Sequence, residues 1–102
     1  ALKLVSVQAM KSWEATLYNI AHSLRKLKKY QMALKYYLKA RSFSNNNKLS
    51  FTIDLGIGYT YHLLNNIHKA IEYYHKALSK QPQHIITNDL LKIAFEEITY
   101  NT

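Results

Sequence analysis

A repeat constrains this chain more than any other feature. The stretch LRKLKKYQMALKYYLKA, residues 24–40, returns thirty-seven residues later as YHLLNNIHKAIEYYHKA, residues 61–77. Leu27, Ala33, Tyr36, Tyr37, Lys39 and Ala40 recur as Leu64, Ala70, Tyr73, Tyr74, Lys76 and Ala77. A long period shared by two helical patterns means helix pairs stacked as a solenoid. In such an array each unit packs only on its neighbours, and an extended surface is left open. The repeat therefore points to interaction with another polypeptide rather than to catalysis.

Composition supports helices. The 102 residues contain two glycines and one proline, and 48% are apolar, too many for a disordered chain. There is no cysteine, so disulfides and thiolate metal sites are excluded. No apolar run is long enough to span a membrane, and no secretory signal is present. An intracellular location, nuclear and/or cytoplasmic, is the corresponding expectation. The chain opens on Ala1 inside a helical pattern and reads as a piece of a longer protein.

The net charge is +8, and eight Lys or Arg lie between Glu14 and Asp54 with no acid among them. Such a bias can mark a nucleic-acid surface. Only Arg25 and Arg41 are arginines, however, and bidentate phosphate or base recognition favours Arg. Lys, Asn, Ile and Tyr are together the residues of A/T-rich codons, which accounts for part of the charge without a role. An RNA-associated helical repeat is kept only as the least favoured alternative.

The pattern predicts the tail of a helix over residues 1–10 and a new helix over 13–27 capped by Ser12. Lys28 and Lys29 form a tight turn. The cations at Arg25, Lys26, Lys28 and Lys29 complement the dipole of the helix C-terminus. A helix over 30–43 ends at the polar run Asn45, Asn46, Asn47. Ser50 is placed to cap a helix over 51–64, and Asn65-Asn66 closes it, since Asn tolerates left-handed backbone. A helix over 67–80 stops before Pro82, and a last one covers 84–99.

These pairs resemble the tetratricopeptide repeat, a helix–turn–helix unit. The large-then-small pair of the first helix is Ile20-Ala21 and then Ile57-Gly58. The bulky residue after it is Leu24, then Tyr61. Tyr30 and Ile67 open the second helices. Ala33 and Ala70 are the small residues that let paired helices approach. Tyr37 and Tyr74 follow, and Ala40 and Ala77 close each unit. The terminal proline is Pro82 in the second unit but Asn45 in the first. The resemblance implies an all-α, right-handed helical solenoid of two full repeats, 14–47 and 51–84. Residues 1–11 fit the end of a preceding repeat. Residues 85–102 fit a capping helix, with Lys92 where a small residue would be needed for a further close pair.

A narrower resemblance covers Trp13-Glu14, the Asn19 to His22 element and the Arg-Lys-Leu-Lys-Lys-Tyr turn at residues 25–30. In this order they look like the C-terminal repeats of the Cdc-sixteen (Cut-nine) family of scaffold subunits of the anaphase-promoting complex. The resemblance implies a non-catalytic piece of a multi-subunit ubiquitin ligase acting in mitosis and cell division. It also implies that the repeats wrap a small partner subunit, while other chains carry the catalysis. An adaptor of some other assembly, with a different peptide in the same groove, is the alternative. Oligomers could form through other repeats of the full chain.

In this family the first helix of each pair lines the inner wall. Helical spacing puts Tyr18, His22 and Arg25 there from the first unit, and Leu55, Tyr59 and His62 from the second. Ile86, Asp89, Ile93 and Glu96 come from the last helix. The expected groove is aromatic and histidine-rich at one end and acidic at the other. It suits a peptide with apolar anchors and at least one basic group. The plainer alternative is that Tyr59 and His22 only stack on each other between repeats.

Other chemistry finds no support. The clamp that grips chaperone C-termini needs Lys, Asn and Arg at positions that here hold Tyr18, His22, Gly56, Ile86 and Leu90. Gly56-Ile57-Gly58 lacks the third glycine and the strand of a nucleotide loop and reads as packing. His22, His62, His68 and His75 come with no carboxylate at ligand spacing. Glu96 and Glu97 are adjacent and point apart on a helix, so they make no acid pair. No catalytic residue, metal site or cofactor is expected.

Overall fold

The computed structural model describes residues 7–44 and 48–100. Those residues form five helices: α1 (Val7–Lys26), α2 (Tyr30–Ser42), α3 (Lys48–Leu63), α4 (Ile67–Lys80) and α5 (Ile85–Tyr100). Each helix packs on the next one along the chain. The first, third and fifth also touch in sequence, α1 on α3 and α3 on α5. Neither α1 nor α2 reaches α4 or α5 among the described residues, apart from that step through α3. This nearest-neighbour pattern is the mark of a solenoid. The radius of gyration is 14.5 Å, with extents of 53 × 29 × 18 Å. A compact domain of this length would be near 13 Å.

The helices approach closely because small residues face each other. Ala21, Ala33, Ala40, Ala70, Ala77 and Ala94 are all fully buried. Between them Tyr37 and Tyr74 fill the groove of the following or paired helix. A Cβ built on Gly58 would lie 2.8 Å from Tyr74 Cδ1, so the two glycines of α3 make room for tyrosine rings. Burying side chains of this size contributes roughly 1.5–3 kcal/mol each.

The α1–α2 and α3–α4 turns are copies of one device. Lys29 N–H donates to Leu24 O and Lys28 N–H to Arg25 O, both at 2.9 Å. Asn66 N–H donates to Tyr61 O at 2.9 Å and Asn65 N–H to His62 O at 3.0 Å. This is the Schellman arrangement, which satisfies orphan carbonyls at a helix end. It requires left-handed backbone at one residue, and Lys28 and Asn65 both have φ 64°.

Two expected caps are not caps. Ser12 lies inside α1, which runs unbroken from Val7. No Pro or Gly interrupts that stretch, and one serine is only a weak helix breaker. Ser50 is the third residue of α3 and fully buried, because Lys48 and Leu49 already continue the helix. Ala1-Leu2 and the Asn45–Asn47 loop fall outside the described residues.

A buried charge ties the units together. Asp54 of α3 is completely buried and accepts from Arg41 Nε at 2.8 Å and Lys80 Nζ at 3.3 Å. The last turns of α2 and α4 thus meet on one carboxylate. At the far end α5 covers the apolar side of the second unit: Ala94, Leu90 and Leu91 pack with Ile67, Ala70 and Tyr74. His84 stands just before α5 and caps it, its Nδ1 accepting from Thr87 N–H at 3.2 Å.

Candidate functional site: a trough along the odd-numbered helices

A cavity of about 360 Å³ opens between α1, α3 and α5. Six of the residues expected on the inner wall line it: Tyr18, His22, Arg25, Leu55, Tyr59 and Ile86. Tyr37, Thr52, Gly56 and Leu90 complete it. These four are additions to the expected wall, and the most unexpected is Tyr37. It belongs to α2, yet its ring crosses to Gly56 and its hydroxyl accepts from Arg25 Nε at 3.3 Å. The missing side chain at Gly56 is the signal that could have revealed it.

The polar end of the trough is a linked set. Tyr18 stacks on His22 with ring centroids 5.8 Å apart. Arg25 donates to His22 Nδ1 at 3.2 Å. Since Arg has no acceptor, His22 must keep Nδ1 unprotonated for this bond. Burial, and then the charges of Arg25 and Lys26, hold the His22 pKa below its ordinary value. The Arg25 guanidinium lies 5.1 Å from the Tyr59 ring centre, a cation–π contact. Burial and the neighbouring Tyr37 raise the Tyr18 pKa, against the pull of Arg25. His22 and Tyr59 therefore each have a ring or cation partner other than one another.

Four expected wall residues lie elsewhere. His62 Nδ1 meets the Tyr74 hydroxyl at 2.9 Å, and its Nε2 meets both Glu97 carboxylate oxygens at 3.1 Å. It is consumed in holding α3, α4 and α5 together. Asp89 and Ile93 are exposed and do not line the cavity. Glu96 borders a separate depression on the outer side of α5, with Leu91, Lys92 and Phe95. The acidic end of the expected groove is thus absent from this trough. The turn per residue along α5 carries Asp89 and Glu96 off the face that holds Ile86 and Leu90. The formal charge facing the cavity belongs to Arg25, and a basic group on a ligand would find no acidic counterpart there.

Residues 13–83 match the family model for the tetratricopeptide repeat. The chain belongs to the tetratricopeptide repeat family. As a tetratricopeptide protein it also has relatives of one kind. It is 44% identical over 70 residues to anaphase-promoting complex subunit 6 of Dictyostelium discoideum, covering 69% of this chain and 8% of that protein. It is 38% identical over 90 residues to subunit 6 of Arabidopsis thaliana, covering 88% and 16%. It is 39% identical over 66 residues to the cell division cycle protein 16 homolog of Homo sapiens, covering 65% and 10%. The narrower resemblance to the Cdc-sixteen (Cut-nine) repeats is therefore borne out. The chain spans between 8 and 16% of the length of these relatives. No described helix is long and apolar enough to cross a membrane.

Proposed function

We propose that this chain is part of a scaffold subunit of an anaphase-promoting complex, and that it binds a polypeptide in its trough and catalyses nothing itself. The observation that carries the reading is its similarity to subunits of that complex across most of its length. Residues 14–47 and 51–84 act as the two repeats, with 85–102 as the capping helix and 1–11 as the end of a preceding unit. Tyr18, His22, Arg25, Leu55, Tyr59 and Ile86 contact the ligand. His62, Asp89 and Ile93 lie off the trough and make no ligand contact in this reading. The site of action is the nucleus and/or cytoplasm, among other subunits of the complex.

The trough suits this role physically. Aromatic rings with a polar tip, such as Tyr18 and Tyr59, present large contact area at low entropic cost. Leu55 and Ile86 supply apolar surface beside them. Affinity purification of the intact protein tests the reading. Subunits of the ligase should travel with it, and His22→Ala with Tyr59→Ala should weaken the association while helicity is unchanged. Recovery of an unrelated assembly would replace the complex named here. Unchanged binding by the double variant would move the contact to the opposite side of the solenoid.

A further inference from the structure

We infer that the segment held in the trough presents an acidic side chain to Arg25, next to a bulky aliphatic one; this rests on the reading of the trough as the binding site. Two equivalent positions of the repeat differ in what they meet. Arg25 and His62 stand thirty-seven residues apart, at the same point of α1 and α3. Each meets the tyrosine of its own unit, Arg25 at Tyr37 and His62 at Tyr74. His62 goes on to a carboxylate of the next helix, Glu97. Arg25 goes on to the Tyr59 ring, and no carboxylate among the described residues lies within ion-pair distance of it.

Two further acids are engaged away from the trough. Asp54 holds Arg41 and Lys80, and Glu72 pairs with Lys69 and Lys76. Arg25 is half-buried, so its charge faces less water than a surface cation would. A guanidinium carries five N–H donors, and only two are used here, toward Tyr37 and His22. The remaining donors can take a carboxylate, the acceptor whose geometry matches them. Tyr37 and Tyr59 fix the guanidinium in place beforehand, which lowers the entropic cost of engaging a ligand. Beside it Leu55, Ile86 and Leu90 form an apolar wall that suits an aliphatic side chain. A side-chain carboxylate is favoured over a terminal one, because the trough has no second cation to clamp a free C-terminus.

The test is selection of a randomised peptide library, displayed with blocked ends, on the immobilised protein and separately on Arg25→Gln, Arg25→Lys and Leu55→Glu variants checked for helicity. The expected result on the unaltered protein is enrichment of Asp or Glu close to Leu, Ile or Met. Synthetic copies of the selected peptides should lose about ten- to hundredfold in affinity when the acid becomes its amide. They should lose a similar factor on Arg25→Gln and recover part of it on Arg25→Lys. If peptides are selected without an acidic preference but are lost on Leu55→Glu, this inference falls and the trough remains the binding site. If the selected peptides ignore both Leu55→Glu and Arg25→Gln, or none is selected, the trough reading falls and takes this inference with it.

Discussion

Tyr37 occupies the space that a side chain at Gly56 would need: a Cβ built there would lie 2.8 Å from Tyr37 Cε1 and 3.0 Å from Cζ. The contact joins α2 of the first unit to α3 of the second. It also sets the floor of the trough, since the same tyrosine hydroxyl meets Arg25. One missing methyl group thus links the packing of the stack to the geometry of the site. Gly56→Ala should push the ring aside and destabilise the protein by about 1–3 kcal/mol. Urea unfolding followed by circular dichroism checks this. The variant should also bind the peptides of the trough more weakly, because Arg25 loses its support.

The Asp54 carboxylate makes a second prediction. Arg41→Met leaves it with Lys80 alone, and Lys80→Met leaves it with Arg41 alone. Each should cost about 1–2 kcal/mol, the net loss of a hydrogen bond to a charged group. The double variant strands a buried charge and should cost about 3–5 kcal/mol, more than the two singles together. Equilibrium unfolding of all three variants measures the excess. A strictly additive result would mean that water reaches Asp54 when its partners are removed.

Left-handed backbone at Lys28 is a strain that Asn65, at the same place in the second turn, bears more easily. A residue with a Cβ pays roughly 1–2 kcal/mol there, and glycine escapes it. Glycine loses some of this gain through its freer unfolded chain, and a cation near the helix C-terminus is lost as well. Lys28→Gly should still raise stability by about 0.5 kcal/mol, and Asn65→Gly should change it less. Thermal denaturation of the two variants side by side decides between them.

His22 makes stability depend on pH. Its pKa is lowered in the folded state, first by burial and then by Arg25 and Lys26. The unfolded chain therefore binds more protons than the folded one once pH falls to the ordinary histidine value near 6.5. Stability contributed by neutral His22 is complete above that value and declines as pH drops toward the folded pKa. His22→Gln should flatten this decline. Denaturant midpoints at pH 7.5 and pH 5.5, compared between the protein and the variant, give the sign directly. An equal decline in both would assign the pH dependence to other groups.

Much of this protein can be read without coordinates because its information is local or periodic. The turn at Lys28-Lys29, the break at Asn65-Asn66 and the stop before Pro82 each depend on a few adjacent residues, and each is where the chain turns. The starts of α1 and α3 are less legible. Ser12 and Ser50 have the chemistry of caps, but neighbouring residues extend α1 and α3 past them. Six of the ten expected wall residues, from Tyr18 to Ile86, are legible from helical spacing within single helices.

The remainder depends on the angle at which one helix meets another, and spacing along a single helix does not contain that angle. It turns His62 onto Glu97, takes Asp89 and Ile93 away from the cavity, and brings Tyr37 across from α2. The thirty-seven-residue period determined, by itself, that helix pairs stack and that small residues meet at their crossings. Only the packed stack decided which of two equivalent side chains meets a carboxylate of its own chain and which is left facing the trough. The reason is that a carboxylate contributed from the following helix is a long-range pairing, set by how neighbouring units are rotated on one another.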